Sequence, residues 1–164
     1  MERLEFLKSV LSSEGYYCLF AANGGGRTQN FYDTIDKLHE AVETFDTRDH
    51  DVYFALSTFV NNTNRRADNA HQLQSFFVDL DCGPSKEYPS QQDAISALQT
   101  FCAKTNMPEP TKVNSGRGIH VYWVLSAPVP VNEWLPIAER FKEFCSENGL
   151  KADPAVTADA ARIL

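Results

Sequence analysis

The sequence predicts a layered α/β or α+β fold, in which helices alternate with strands around a single core. Three observations support this expectation. The chain of 164 residues is 43% hydrophobic and 23% charged, which is the composition of a globular protein large enough to bury a core. Segments with apolar residues three and four apart alternate with short apolar or alternating segments typical of strands. One tight glycine turn, Ser115–Gly118, separates two strand-like segments and predicts a hairpin.

The first half of the chain is predicted to contain two helices and two strands. Leu4, Leu7 and Leu11 share one face of the first helix, and Asp33 is the expected N-cap of the second. The expected order is helix Glu2–Leu11, strand Tyr16–Ala22, loop Asn23–Arg27, helix Thr34–Glu43, strand Asp51–Phe59 and loop Asn61–Gln72.

The second half is predicted to contain three strands and two clear helices, followed by the start of another helix. Ser90 and Asp93 form a capping box for the first of these helices. An apolar stripe defines the second, with its members Trp134, Ile137, Ala138, Phe141, Phe144 and Cys145. The expected order is strand Ser75–Asp81, a helix to about Lys104, strands Thr111–Ser115 and Gly118–Ser126, helix Glu133–Glu147 and a helix capped by Thr157.

Charge, hydropathy and cysteine usage narrow the functional classes. Fifteen Lys and Arg against 22 Asp and Glu give a net charge of -7, which disfavours a protein that binds nucleic acid through a broad basic surface. Apolar runs are far shorter than the roughly 20 residues of a membrane helix, and the amino-terminal segment does not resemble a signal peptide. We therefore expect a cytoplasmic protein with four free cysteines and neither a zinc site nor a disulfide.

Two acids follow one another on the predicted strand Ser75–Asp81. Since strand side chains alternate, Asp79 and Asp81 lie on one face, about 6 to 7 Å apart, while Phe76, Val78 and Leu80 lie on the other. Two carboxylates this close repel each other unless a cation compensates them, and Mg²⁺ or Mn²⁺ prefers such oxygen ligands. The pair fits a metal site, although a solvated strand end would also account for it.

A second group of polar residues surrounds the predicted hairpin turn. Backbone N–H groups of Ser115, Gly116 and Gly118 can approach an anion closely, and Arg117 supplies a charge for a phosphate. His120 lies on the polar face of the strand that follows. This arrangement predicts a phosphate-binding turn with a histidine beside it.

A third acid follows the long amphipathic helix, and the sequence offers Asp153 and Asp159 for this position. Asp153 precedes Pro154, which favours an extended backbone that can lie beside the Asp79 strand. Asp159 is predicted in the first turn of a helix capped by Thr157, where the helix dipole already accounts for an acid. We therefore choose Asp153 as the third metal ligand, with Asp159 as the runner-up.

Taken in order, the three motifs resemble those of the archaeo-eukaryotic primase superfamily, and most closely the primase-polymerase domains of phages and plasmids. The motifs are Phe77–Asp81, Ser115–Trp123 and the segment from Ala152 to Arg162. The resemblance implies a core like an RNA-recognition motif in residues 71–164, preceded by a small α/β module in residues 1–70. It also implies a nucleotidyltransferase that acts as a DNA primase/polymerase and uses two Mg²⁺ or Mn²⁺ ions. Its substrates would be dNTPs or NTPs on a single-stranded DNA template.

The resemblance also implies roles for further residues and a longer protein. Gly118-Ile119-His120 matches the family's nucleotide motif, so Ser115, Arg117 and His120 would bind the phosphates of the nucleotide. Such proteins continue after the segment that ends this chain, often with a helicase, so we expect a fragment of a longer protein.

The residues outside the three motifs give weaker indications. Arg65, Arg66 and Arg162 are candidates for template or nucleotide contacts, and Gly24–Arg27 is a candidate for a mobile loop near the site.

Three other functions remain open at this point. One is a non-catalytic DNA-binding module for replication initiation, and another is a metal-dependent glycosyltransferase with a DxD motif. A nickase of the histidine-pair type needs two histidines in one strand, whereas Ile119 and Val121 flank a single histidine here.

Overall fold

The structure, a computed structural model, describes residues 2–48 and 50–164, in which the chain forms five α-helices and seven β-strands. The helices are α1 (Arg3–Val10), α2 (Ile35–Asp46), α3 (Gln91–Thr105), α4 (Val131–Glu147) and α5 (Pro154–Thr157). The strands are β1 (Tyr17–Asn23), β2 (Gly26–Tyr32), β3 (Asp51–Phe54), β4 (Ser57–Phe59), β5 (Ala70–Asp81), β6 (Thr111–Asn114) and β7 (Gly118–Pro130). The mixture of helices and antiparallel sheets confirms the predicted α+β class.

The chain divides into two compact units, and it passes between them more than once. Unit 1 contains the residues through Gln74 together with Ser126–Val131 and Ala160–Leu164. Unit 2 contains Ser75–Leu125 and Asn132–Asp159. Strands β5 and β7 therefore each begin in one unit and end in the other.

Unit 1 is built on a three-stranded antiparallel sheet with the order β2-β1-β3. Helix α2 buries Ile35 and Leu38, as its apolar spacing predicts. The last residues of the described chain also belong here, since the backbones of Phe54 and Leu164 exchange two hydrogen bonds of 3.0 and 3.1 Å. Unit 1 is thus completed by residues far apart in sequence.

Unit 2 contains the elements that carry the acids and the histidine. Strand β7 lies between β5 and β6, and the β6–β7 pair is the predicted hairpin, with Asn114 opposite Ile119. Its core combines the apolar faces of the strands and helices, among them Val78, Leu80, Leu98, Phe101, Ile119, Val121, Trp123, Phe141 and Cys145. The Trp134 indole of α4 stacks on Phe77 and donates to the Ser75 carbonyl over 3.0 Å, which fixes α4 against β5.

Several predicted elements differ from those observed in unit 1. The loop predicted over Asn23–Arg27 is shorter, because Asn23 pairs with Gly26 across a two-residue hairpin turn and β2 continues from there. Thr34, not Asp33, is the N-cap of α2, since its hydroxyl accepts from the Lys37 N–H, whereas Asp33 pairs with the Lys37 ammonium. The single strand predicted over residues 51–59 is two strands, β3 and β4.

Unit 2 agrees more closely with the sequence. The predicted N-cap at Ser90 is confirmed, since Ser90 Oγ accepts from the Asp93 N–H, and the Asp93 carboxylate accepts from that same hydroxyl. Helix α4 buries most of its apolar stripe, but Ile137 is 52% exposed and does not belong to the core. All four cysteines are free, as predicted.

Candidate functional site

Strand β5 presents the two acids as the alternation of its side chains predicts. Val78 and Leu80 are fully buried in the core of unit 2, whereas the side chains of Asp79 and Asp81 are 18% and 39% exposed. Asp79 is thus the more enclosed of the two carboxylates, and Asp81 lies at the open end of the strand. Strand β5 thus carries two carboxylates, two residues apart, on one face.

His120 lies next to Asp79, as the polar face of β7 predicts. The His120 Nε2 atom is 3.8 Å from Asp79 Oδ1, which is ion-pair range when the imidazole is protonated. Tyr122, two residues further along β7 and therefore on the same face, is buried. Burial raises the pKa of the Tyr122 hydroxyl, and the negative charge of Asp79 raises it further. The phenol therefore remains neutral beside the acid.

Asp153 is tied to the Asp79 strand through its backbone. Its N–H donates to the Asp79 carbonyl over 3.0 Å, and its backbone is extended, as Pro154 at the next position favours. Its carboxylate, however, accepts from the Ala155 N–H over 2.9 Å and caps α5. The backbone placement expected for Asp153 is observed, and its side chain has a structural role as well.

The helix predicted around Asp159 is wrong. The residues that follow Asp153 form the short helix α5, which ends at Thr157, and Asp159 lies beyond its end. Because Asp153 caps this helix from outside, the dipole of α5 accounts for Asp153 rather than for Asp159. The reason for preferring Asp153 is therefore its backbone bond to Asp79 alone.

A lysine lies among these carboxylates, and the sequence reasoning did not identify it. The Lys86 ammonium donates to Asp81 Oδ2 over 2.8 Å. This bond to Asp81 raises the pKa of Lys86, and the charges of Asp79 and Asp153 act in the same direction. A positive charge is thus already paired with Asp81.

The chemistry of these side chains fits a hard divalent cation at Asp79 and Asp81. Both are carboxylates on one strand face, and the Lys86 ammonium stands where positive charge is needed. Three ligands do not converge, however: across residues 2–48 and 50–164, no group of three or more His, Cys, Asp or Glu side chains could hold a metal ion. One carboxylate oxygen of Asp153 is already engaged, since Oδ1 accepts from the Ala155 N–H at the start of α5.

The glycine turn between β6 and β7 is held by side chains outside the recognised motif. Asn114 Oδ1 accepts from the Gly116 N–H over 2.8 Å and from the Gln91 side-chain amide over 2.8 Å. Gly116 has a φ of +87°, a conformation that favours glycine. Gln91, the first residue of α3, thereby fixes the turn to a helix end. The Ser90 cap predicts where α3 begins, but it does not indicate that Gln91 also binds Asn114 of the turn.

Within the turn, the expected phosphate-binding groups are exposed. Ser115 and Arg117 both face solvent, and among the residues that the structure describes the Arg117 guanidinium takes part in no ion pair. The Arg117 carbonyl accepts from the Cys82 N–H over 3.1 Å, which joins the turn to the end of β5. The turn is therefore anchored through its backbone while its side chains remain available.

Gly118 allows β7 to approach β5 closely. A Cβ atom at this position would lie 2.5 Å from the Leu80 carbonyl oxygen, well inside van der Waals contact. Because Leu80 lies between Asp79 and Asp81, this approach sets the distance between the acids and the strand that carries His120.

Gly118→Ala is expected to destabilise the protein by about 1 to 3 kcal/mol, because the added methyl must push two paired strands apart. Gly24→Ala is the control, since a Cβ there meets no atom within 4 Å and should change stability by less than about 0.5 kcal/mol. Urea unfolding of both variants tests this. Equal midpoints for Gly118→Ala and the natural protein would contradict the close approach.

The three arginines expected to contact template or nucleotide belong to unit 1. The Arg65 guanidinium donates to Gln29 Oε1 over 3.2 Å and to the Ala161 carbonyl, which places it next to Arg162. Arg162 Nε is buried and has no hydrogen-bond partner among the described residues, whereas Arg66 is exposed. Arg65 thus binds the backbone of the residue before Arg162, and the role of all three arginines stays a prediction.

Comparison with known proteins identifies a structural neighbour. The chain is similar to the AEP domain (PP-N190) of the primase-polymerase (PrimPol) of cyanophage S-2L, with a TM-score of 0.59 and 15% sequence identity. The superposition covers 92% of this chain and 71% of that one. No protein-family model and no curated protein sequence matches the chain. The likeness establishes an AEP-like fold, in agreement with the resemblance read from the motifs.

A helix that spans a membrane must be both long and apolar. Among the described residues, no helix is long enough and apolar enough to cross a bilayer.

Proposed function

We propose that this protein is the catalytic domain of a DNA primase/polymerase, which joins dNTPs or NTPs to a growing chain on a single-stranded DNA template. One observation carries the proposal: Asp79 and Asp81 on β5, His120 on β7 and the backbone of Asp153 meet in one patch of unit 2. The structural neighbour is itself named a primase-polymerase, which supports the same activity.

Asp79 and Asp81 would hold the divalent cations, Mg²⁺ or Mn²⁺, with Asp153 as the third acid. When bound, such ions lower the pKa of an attacking hydroxyl and neutralise the charge of the leaving pyrophosphate. Asp153 reaches this role by leaving the cap of α5, a bond worth about 1 kcal/mol, while its backbone stays on Asp79. Otherwise the protein's task is positioning and charge stabilisation, which suffice for phosphoryl transfer.

The incoming nucleotide would bind with its phosphates at the turn between β6 and β7. Arg117 supplies an exposed guanidinium and Ser115 an exposed hydroxyl for these phosphates. The N–H groups of Ser115 and Gly116 already donate to the Gly118 carbonyl and to Asn114 Oδ1, so they hold the turn in shape and the side chains would make the phosphate contacts. His120 lies on β7, two residues after Gly118, and next to Asp79, so it would donate a hydrogen bond to a phosphate oxygen near the acids. Arg65, Arg66 and Arg162 are proposed for template or nucleotide contacts from unit 1.

The alternative is a DNA-binding module that has lost catalysis. The specific observation in its favour is that no three-ligand metal group is assembled among residues 2–48 and 50–164. A pure binding module, however, gives no reason for two adjacent acids next to a histidine, and a net charge of -7 opposes contact with a polyanion.

Incorporation of labelled nucleotide distinguishes the two. The natural full-length protein is incubated with Mg²⁺ or Mn²⁺, with primed and with unprimed single-stranded DNA, and with dNTPs or NTPs. We expect incorporation that stops when the cation is chelated. DNA binding without any incorporation under these conditions would favour the binding module and reject the proposed activity.

His120→Ala is expected to raise the KM for nucleotide roughly ten- to a hundredfold, the effect of one charge-assisted hydrogen bond worth about 1.5 to 3 kcal/mol. The affinity for template DNA should not change, because His120 faces Asp79 and the turn. His39→Ala is the matched control, a histidine on α2 that lies 3.5 Å from Glu43. A nucleotide KM equal to that of the natural protein would leave His120 a structural residue only.

A further inference from the structure

The loop between β5 and α3 holds a charged side chain against the proposed catalytic acids. Its backbone is pinned at both ends: the Gly83 N–H donates to the Tyr88 carbonyl over 2.9 Å, and the Tyr88 N–H donates to the Asp81 carbonyl over 3.3 Å. The Tyr88 ring is buried in the core, and its hydroxyl accepts from the Lys151 N–H. Between these anchors, the Lys86 N–H donates to the Gly83 carbonyl.

This anchoring fixes the main chain of Lys86 but not its side chain. The Lys86 side chain is 50% exposed, and its ammonium reaches Asp81 Oδ2 at 2.8 Å. The lysine side chain has four methylene carbons joined by rotatable bonds. The ammonium can therefore leave Asp81 while the backbone of the loop stays in place. The Lys86 main chain is therefore fixed, whereas its ammonium group can change position.

A divalent cation and the Lys86 ammonium compete for the same acid. Mg²⁺ binds a carboxylate oxygen at about 2.0 to 2.1 Å, and a second positive charge on that carboxylate would repel it. Lysine also binds phosphate well, as a point charge. An incoming triphosphate would bring negative charge to the acid patch together with its cation, and the displaced ammonium could then pair with that charge.

We propose that Lys86 is a counter-charge that changes partners, neutralising Asp81 when the site is empty and binding a phosphate of the nucleotide when a divalent cation has taken Asp81. The proposal rests on the proposed function, because it needs a cation and a nucleotide at this patch. Lys86 lies outside the three sequence motifs, which therefore did not predict this role.

Two opposite effects are expected when the charge is removed. Lys86→Met should bind Mn²⁺ alone about three- to tenfold more tightly, because the competing ammonium, an exposed ion pair, is gone. The same variant should show a KM for nucleotide about tenfold higher at saturating Mn²⁺, because a charge-assisted contact to phosphate is lost. Lys86→Arg retains the charge and should restore the natural Mn²⁺ affinity.

Lys151→Met is the matched control. Lys151 also belongs to unit 2 and also pairs with an acid, Glu87, at 3.3 Å, but it makes no ion pair with Asp81. Its removal should leave both measurements unchanged. Titration calorimetry with MnCl₂ in the absence of nucleotide gives the first quantity, and steady-state incorporation gives the second.

The outcomes separate this inference from the proposed function. If the natural protein binds Mn²⁺ and incorporates nucleotide while Lys86→Met matches it in both measurements, Lys86 is a surface ion pair only and the inference is overturned. If Lys86→Met and Lys151→Met change Mn²⁺ affinity equally, the effect is one of general charge, and the inference also fails. Absence of Mn²⁺ binding by the natural protein without nucleotide would overturn the inference, whereas the proposed function stands or falls with cation-dependent incorporation.

Discussion

Asp79→Asn and Asp81→Asn should each reduce metal-dependent nucleotide incorporation by about a thousandfold or more while the protein stays folded. Each substitution removes a ligand charge from the pair on β5, and a ligand to a catalytic cation is worth several kcal/mol of transition-state stabilisation. The amide has nearly the same shape as the carboxylate, so packing around β5 should not change. Labelled incorporation on a primed template measures the effect.

Stability separates loss of chemistry from loss of fold. Asp81→Asn loses an exposed ion pair with Lys86, which is worth about 0 to 1 kcal/mol, and it also relieves repulsion from Asp79. Its melting temperature should therefore stay close to that of the natural protein. Asp36→Asn is the control, since Asp36 pairs with Lys8 in unit 1 and should keep full activity. Natural rates of incorporation by either β5 variant would refute the assignment of Asp79 and Asp81.

The second large effect concerns the third acid. Asp153→Asn should reduce incorporation by about a thousandfold, whereas Asp159→Asn should remain active. Asparagine caps a helix about as well as aspartate, so the bond to the Ala155 N–H and the helix α5 survive the first substitution. The variant therefore removes the charge of Asp153 and little else.

Comparison with Asp153→Ala tests the structural part of the role. Alanine cannot accept the bond from Ala155, so this variant should also lose about 1 kcal/mol of stability in urea unfolding. If Asp153→Asn retains activity and Asp159→Asn does not, Asp159 is the third ligand. The backbone bond between Asp153 and Asp79 would then serve the fold alone.

Elements with one dominant local signal could be predicted from the sequence. The alternation along β5 separated Asp79 and Asp81 from the buried Val78 and Leu80, because strand side chains have a strict period of two. The N-cap at Ser90 and the hairpin turn before Gly118 depend on local chemistry, and both were predicted correctly. In these cases local preference and tertiary packing agree.

Other features depend on contacts that a local pattern does not contain. Asp33 and Thr34 are both residue types that cap helices well. In the structure, the Lys37 N–H donates to the Thr34 hydroxyl, whereas the Lys37 ammonium pairs with Asp33, so Thr34 is the cap. Lys86 belongs to a loop whose conformation is set by the burial of Tyr88, so only the folded chain reveals which acid it reaches. The role of Asp153 as a cap appears once α5 is seen to begin at Pro154.

The way the chain passes between the two units has a consequence for its synthesis. A ribosome releases the residues through Gln74 long before Ala160–Leu164, yet Phe54 pairs with Leu164 and Arg65 binds the Ala161 carbonyl. Nascent unit 1 must therefore wait with unpaired backbone while all of unit 2 emerges, and pairings of such long sequence separation form slowly. Until then the edge of β3 at Phe54 is unpaired, and such an edge favours aggregation of the nascent chain.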